Sequence, residues 1–292
     1  MYERLENCPS CQHPQFDNYL ICEDHTVSHE SFALVKCTKC ELVFTNPRPR
    51  IDELDKYYQS EAYISHTDKA NSVVHILYKF VRTYTLARKR NLVEGFKANG
   101  TILDYGCGTG DFLRSMQKDS WTTFGVEPNA DAKAIAIKKN TGLITSDISD
   151  FSDDILFDMV TAWHVLEHVA DLRETLRLIR KRIVKNGYLI LAVPNLNSLD
   201  ASTYGEKWAA YDVPRHLYHF TQTSLQNLAD KTKFKLVATL PMKFDSYYVS
   251  MLSEKYRSGK NGFIKSMLTG FKSNISANKT GEYSSLIYVL KK

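Results

Sequence analysis

The stretch Thr101-Ile-Leu-Asp-Tyr-Gly-Cys-Gly-Thr-Gly-Asp-Phe-Leu113 constrains this chain more than any other. An apolar strand runs into Asp104. Glycines follow at every second position, Gly106, Gly108 and Gly110, and an amphipathic helix opens near Asp111. A turn that passes close under a ligand cannot carry side chains on its inner face, and glycine both removes the Cβ and permits positive φ. The helix start offers free backbone N–H groups. Gly125-Val-Glu-Pro-Asn129 then ends a second strand in Glu127, about 20 residues on, where a carboxylate accepts hydrogen bonds from ribose hydroxyls. The layout predicts a nucleoside ligand beyond the carboxyl ends of a parallel sheet.

Two cofactor classes share that layout. The dinucleotide fingerprint, Gly-x-Gly-x-x-Gly, serves a pyrophosphate. Here an acid stands two residues before the first glycine, which suits a ligand with positive charge. The motif Asp104-Tyr-Gly-Cys-Gly-Thr-Gly110, with Glu127 ending the next strand, resembles the class I S-adenosylmethionine-dependent methyltransferases. The resemblance covers about residues 98–292. It implies a doubly wound, Rossmann-like α/β fold with a seven-stranded sheet whose last strand is antiparallel. It implies S-adenosylmethionine as cofactor, held by Asp104, Gly106, Cys107, Gly108, Gly110, Glu127, Pro128, Asp147, Ile148 and His164. Cys107, within the loop, reads as a packing residue and not as a nucleophile.

Cys8-Pro-Ser-Cys11 and Cys37-Thr-Lys-Cys40 form two Cys-x-x-Cys knuckles. Four thiolates from two tight turns make a closed tetrahedral zinc site, structural because no position remains for water. A hairpin fits between the knuckles, so residues 1–46 read as a small zinc ribbon. A redox reading of either pair is the weaker one, since the first knuckle lies outside any βαβ pattern. Cys22 reads as a small buried residue. His13, His25 and His29 lie close in sequence, but four cysteines already suffice.

Residues 47–97 read as a helical lead-in. Asn46-Pro-Arg-Pro-Arg50 is a stiff linker, 51–64 carries a helical pattern with Tyr57, Tyr58 and Tyr63, and 72–96 reads as a longer amphipathic helix. The methyltransferase-like domain, 98–292, alternates strands near 102–104, 123–127, 143–145, 157–162 and 188–193 with helices, which argues a parallel sheet covered on both faces. Asn186-Gly187 reads as the stop of the helix over 170–184. A long loop runs to Thr221, then a helix over 224–231 and strands over 234–240 and 285–290. The insert 242–282 interleaves Tyr, Phe, Met and Leu with lysines and arginines. It reads as an amphipathic element packed on the core, as a lid over the acceptor, or as a patch resting on a membrane surface.

His164-Val-Leu-Glu-His168 matches the inverted zinc-peptidase pattern, and on a helix its histidines would share a face. Its position directly after a strand, without an obvious third ligand, argues against that reading. In the family resembled, this stretch lines the cofactor and acceptor pockets. His164 would then touch the sulfonium region, and Glu167-His168 would start or cap the next helix.

The acceptor side is less specific. The strand exit Ala162-Trp-His-Val165 lacks the Asn-Pro-Pro-Tyr that binds exocyclic amines, and no cysteine nucleophile for pyrimidine C5 chemistry is present. An oxygen or activated carbon remains. The candidate bases are His216 and His219, in Tyr211-Asp-Val-Pro-Arg-His-Leu-Tyr-His-Phe-Thr221, since histidine titrates near neutral pH. That stretch is similar to one in sugar methyltransferases that carry a cysteine-rich zinc module. Their histidine falls on His216 and their glutamate on Arg215, a departure that counts against sugar C-methylation.

The chain of 292 residues carries a formal net charge of +5, too weak a surplus to argue nucleic-acid binding. The N-terminus lacks the apolar core of a signal peptide, and no apolar run reaches the roughly 18 residues of a membrane span. Six cysteines without a secretory signal suggest metal binding in the reducing cytoplasm. The expected activity is methylation of an oxygen, with carbon second, on a saccharide, lipid-linked glycan or other small metabolite. The alternative is an RNA methyltransferase whose ribbon grips phosphate through Lys36, Lys39, Arg48 and Arg50, a track that Glu23, Asp24, Glu30 and Glu41 oppose.

Overall fold

The computed structural model describes residues 1–58, 73–117, 120–260 and 262–292. Tyr63 and the second half of the 51–64 pattern lie outside them. The elements in chain order are β1 (Tyr2–Glu3), β2 (Phe16–Glu23), β3 (Ser31–Cys37), β4 (Val43–Thr45), β5 (Arg48–Pro49) and α1 (Val73–Phe96). The glycine-loop region follows with β6 (Gly100–Tyr105), α2 (Asp111–Met116), β7 (Trp121–Val126), α3 (Ala130–Lys139), β8 (Leu143–Thr145) and β9 (Phe157–Trp163). Then come α4 (Leu172–Arg182), β10 (Ile183–Pro194), α5 (Leu199–Tyr204), β11 (Tyr218–His219), α6 (Gln222–Lys231), β12 (Lys235–Pro241), α7 (Asp245–Ser258), α8 (Phe263–Thr280) and β13 (Ser285–Lys291).

The large sheet has seven strands in the order β12-β13-β10-β9-β6-β7-β8, mixed because the final strand is antiparallel, as the family resemblance implies. β6 pairs in parallel with β7 and with β9, and β7 pairs in parallel with β8. Near-continuous apolar runs such as Leu189–Val193 and Met159–Val160 are fully buried, the signature of strands covered on both faces. A second sheet, β11-β4-β3-β2, is built on the cysteine hairpin. Its outer strand β11 comes from far along the chain, pairing Tyr218 with Phe44 and His219 with Val43.

By contact density the chain forms two units. One comprises Met1–Ile64, His164–Thr175 and Ala192–Tyr288, and the other Ser65–Trp163, Leu176–Leu191 and Val289–Lys292. The first is tied together by buried ions. Arg215, 5% exposed, donates from Nη2 to Asp24 Oδ1 (3.1 Å) and Asp212 Oδ1 (2.7 Å) and from Nη1 to the Tyr57 carbonyl (2.8 Å). Burial works against ionisation of Asp24. The N–H groups of Ser28 and Thr26, with Arg215, outweigh it and hold this carboxyl well below the usual range. Arg48 is likewise buried, donating to Glu3, to the Tyr218 hydroxyl and to the Ala170 carbonyl.

Three local readings are corrected. The 51–58 stretch forms two 3-10 turns, Ile51–Glu53 and Asp55–Tyr58, not one α-helix. Asn186-Gly187 does not stop a helix: α4 gives way to β10 at Ile183, and Asn186 takes φ +65° inside that strand. Asparagine tolerates the left-handed region, and Gly187 is required because a Cβ would lie 2.8 Å from the Asp158 carbonyl oxygen. The stretch before Thr221, read as loop, holds α5, two 3-10 turns and β11.

Replacing Arg215 by methionine strands Asp24 and Asp212 without their counter-ion. The expected loss is about 3–5 kcal/mol, to be read from urea unfolding. A loss below 1 kcal/mol would mean that water or another cation takes over.

Candidate active site

The glycine loop leaves β6 after Asp104 and Tyr105. Gly106, Gly108 and Gly110 all adopt left-handed φ, of +76°, +54° and +76°. The N–H groups of Gly106 and Cys107 both donate to the Val126 carbonyl (2.8 and 3.0 Å), pinning the turn against β7. Two glycines are needed for different reasons. A Cβ on Gly110 would fall 2.3 Å from Asn140 Nδ2 and against Ala136 of α3, whereas a Cβ on Gly108 would meet nothing within 4 Å. Gly108 therefore faces open space, which a ligand can fill. Cys107 packs in a buried cluster with Leu113, Ala136 and Ile144, and burial pushes its thiol up.

Two carboxylates stand beside the loop. Glu127 accepts from Gly108 N at Oε2 (2.8 Å) and from Asn129 N at Oε1 (2.9 Å), so it braces the loop while each oxygen keeps a lone pair. Asp104 is buried and accepts from Thr161 Oγ1 at 2.7 Å. Burial pushes its carboxyl up to about 7; Thr161 and the Lys89 charge oppose the shift and Glu127 adds to it. A carboxyl held at that point gains from a nearby cation. Pro128 and Asp147 are exposed, Ile148 is buried, and Asp147 caps the short turn after β8 by accepting from Ser149 N at 2.8 Å. The open cradle, the buried acid and the second acid are a donor set that fits a cationic nucleoside.

The His164–His168 segment is a turn and not a helix, so the peptidase geometry is absent. α4 opens later, at Leu172, and Asp171 caps it by accepting from Glu174 N at 2.9 Å. His164 takes φ +57°. Its Nδ1 lies 3.2 Å from Glu167 Oε1 and its Nε2 3.0 Å from Asp245 Oδ2. Burial lowers the imidazole pKa, but Asp245 and Glu167 outweigh it and push the ring up to about 10. One imidazolium between two carboxylates leaves this triad with a net negative charge.

Glu167, His168 and His216 bring one ligand atom each within 4.8 Å of one another. His216 Nδ1 lies 2.8 Å from the Ala210 carbonyl oxygen and His168 Nδ1 lies 3.1 Å from that of Arg215. Those carbonyls only accept, so each ring donates from Nδ1, and His216 Nε2 lies 3.9 Å from Asp212 Oδ2. The same set suits a divalent cation. The two rings stand edge to face at 4.6 Å. Glu167 Oε2 is buried without a hydrogen-bond partner among the described residues. His219 is buried against Tyr211, and burial pushes it down to about 3.

Cys8 Sγ and Cys40 Sγ are 3.5 Å apart, and Cys11 Sγ and Cys37 Sγ 3.6 Å. Zn–S bonds of about 2.3 Å in a tetrahedron put sulfurs about 3.8 Å apart, so the four thiols fit a metal ion. The two knuckles repeat one geometry: Gln12 N donates to the Cys8 carbonyl, Glu41 N to that of Cys37, and both Gln12 and Glu41 have positive φ.

A family model described as a methyltransferase domain matches residues 78–239. The chain belongs to the class I S-adenosylmethionine-dependent methyltransferases. This methyltransferase is similar to the ubiquinone biosynthesis O-methyltransferase of Hydrogenovibrio crunogenus, 29% identical over 107 residues, covering 34% of this chain and 44% of that protein. It is also similar to the one of Vibrio parahaemolyticus, 32% identical over 104 residues, covering 33% and 44%. The chain thus spans less than half the length of the curated relatives it matches. Among solved structures, a SAM-dependent methyltransferase from Archaeoglobus fulgidus matches with TM-score 0.50 and 19% identity, over 76% of this chain and 100% of that one. Magnesium protoporphyrin IX methyltransferase from Synechocystis PCC 6803 matches with TM-score 0.50 and 14% identity, over 82% and 93%. At such identities these structures establish the fold alone.

Sequence reasoning missed Asp245, which joins His164 from 81 positions away, and the Thr161 bond to Asp104, which only strand pairing creates. Asp104 also generates a pH dependence. Between its ordinary value of 3.8 and about 7 the folded chain holds a proton that the unfolded chain has lost, so stability falls as pH rises through that window. Asp104→Asn should therefore melt higher than the parent at pH 8, by at least about 1 kcal/mol, and show no such gain at pH 4. An equal effect at both pH values would refute the buried, raised carboxyl.

Proposed function

We propose that this methyltransferase transfers a methyl group to a hydroxyl of a small acceptor, with His216 as general base. The observation that carries the reading is the His216 ring: Nδ1–H donates to the Ala210 carbonyl, which leaves Nε2, 3.9 Å from Asp212 Oδ2, as the proton acceptor, with buried Glu167 within 4.8 Å of a ring nitrogen. Two alternatives fit less well. His219, pushed down to about 3, is a weak base near neutral pH. Arg215, where the sugar C-methyltransferases carry glutamate, is consumed by ion pairs. An oxygen acceptor also agrees with the printed names of the curated relatives. A saccharide, a lipid-linked glycan or a phenolic metabolite all present such a hydroxyl.

S-adenosylmethionine supplies the methyl electrophile and a neutral sulfide leaving group. The chain's own residues bind and orient. In this reading Glu127 takes the ribose hydroxyls on its remaining lone pairs. Gly108 gives the backbone close approach, and Asp104 offers a buried negative charge to the cationic end. Pro128, Asp147 and Ile148 border the base. Holding nucleophile and methyl in line supplies much of the rate. His216 takes the hydroxyl proton, and Glu167 stabilises the imidazolium that forms.

Three of the four basic residues on which the RNA alternative drew, all but Lys39, are engaged within the fold. Lys36 pairs with Glu41, Arg50 with Asp52, and Arg48 is buried on Glu3 and Tyr218. We assign zinc to Cys8, Cys11, Cys37 and Cys40 as a structural ion, in keeping with a reducing, cytoplasmic setting.

His216→Ala should leave S-adenosylmethionine affinity unchanged by calorimetry and slow turnover on a hydroxyl acceptor by roughly 100-fold. Normal turnover would remove His216 as base. Metal analysis of the purified chain should find one zinc per chain, lost in Cys8→Ser together with thermal stability. A chain free of zinc yet equally stable would contradict the assignment.

A further inference from the structure

Helix α8 is amphipathic the wrong way round. Its inward face is made of small residues, Ser266, Gly270, Ser273 and Ala277, all buried. Gly270 packs so closely on α7 that a Cβ there would lie 2.8 Å from the Tyr247 ring and 3.0 Å from the Ser246 carbonyl oxygen. Ser273 Oγ donates to buried Asp200 at 2.6 Å. The large apolar side chains face outward instead: Ile264 is 76% exposed, Leu268 53%, Phe271 53% and Ile275 46%. Their spacing of four, three and four residues puts them on one stripe. Single exposed hydrophobes need no explanation, but a contiguous stripe along three turns marks a surface that something covers.

Charge identifies the cover. Lys265, Lys272 and Lys279 recur every seven residues along one flank of the stripe, all exposed. α8 contains no acidic residue. From Lys243 to Lys279 the sequence has seven lysines and arginines against two acids, a surplus of five, equal to the formal net charge of the entire chain. Both acids are engaged inside the fold, Asp245 with His164 and Glu254 with Arg257 and Lys265. A nucleic acid would meet the lysines but gain nothing from Ile264, Leu268 and Phe271. An anionic bilayer matches both: acyl chains take the stripe, while lysines at its edge reach back to the headgroups. No helix among the described residues is long and apolar enough to cross a membrane.

We propose that α8 docks this methyltransferase on the surface of an anionic membrane, lying in the plane of the interface with Ile264, Leu268, Phe271 and Ile275 immersed. The inference is independent of which hydroxyl is methylated, and it identifies membrane-held molecules as the pool within reach of the docked enzyme.

Flotation of the full chain with vesicles tests it. The parent protein should float with phosphatidylcholine–phosphatidylglycerol vesicles and bind pure phosphatidylcholine at least tenfold more weakly, with added salt narrowing the gap. Ile264→Ser/Leu268→Ser/Phe271→Ser should lose binding to both. Lys272→Glu/Lys279→Glu should lose about tenfold on the anionic vesicles alone. S-adenosylmethionine affinity and melting should match the parent in both variants, which separates a failed docking surface from a failed assignment of the cofactor site. Parent protein that stays with the unbound fraction, or a triple variant that floats equally well, would overturn the proposal. A dimer seen in sedimentation and dissolved by the triple substitution, without flotation, would give the face to a second copy and overturn it as well.

Discussion

The guanidinium of Arg215 is the contact on which the cysteine-bearing unit is organised. It reaches Asp24 in the hairpin, Asp212 in its own loop and the Tyr57 carbonyl in the lead-in, three segments remote in sequence. A planar donor fork satisfies three acceptors at once where an ammonium would not hold the same geometry. Its neighbour in sequence is His216. The orientation of that imidazole, set by the Ala210 carbonyl, therefore depends on a loop clamped to the N-terminal hairpin. β11, pairing with β4, clamps the other end of the same loop.

Electrostatics divide the titratable groups by task. In the glycine-loop unit, a buried carboxyl that accepts from Thr161 sits near neutrality, a condition in which a charged ligand is rewarded. In the other unit the titratable groups act on one another: His164 is pushed up to about 10 by Asp245 and Glu167, and Glu167 is pulled down to about 2 against its burial by His164 and the nearby histidines. His168, lowered to about 4 by burial and by His216, stays neutral.

What was legible in the sequence is what local chemistry dictates. The glycine loop, its flanking strand and helix, Glu127 at the end of β7 and the four knuckle cysteines are all fixed by short-range rules, and each stands where those rules put it. Long-range pairing was not legible. Nothing in Asp245 marks it as the partner of His164, and nothing in Tyr218–His219 marks it as the edge of the hairpin's sheet. Asn186-Gly187 has the composition of a helix stop, yet the approach of Asp158 from β9 makes it part of a strand. The periodicity of α8 was visible, but its polarity was not: a stripe read from sequence does not say which way it faces until the small residues on the far side are found against α7.

The sharing of one small sheet between the cysteine hairpin and β11 has a further consequence. The first segment of the chain is not an ornament that can be clipped away. A polypeptide beginning at the glycine-loop strand would expose β11 as a bare edge, strip Arg215 of Asp24, and leave Leu217 and the rings beside it facing solvent. Whatever lends the hairpin its rigidity, a bound ion or intact thiols, is thereby lent to the Arg215–His219 stretch too, and oxidative damage to the knuckles would loosen that stretch along with the hairpin.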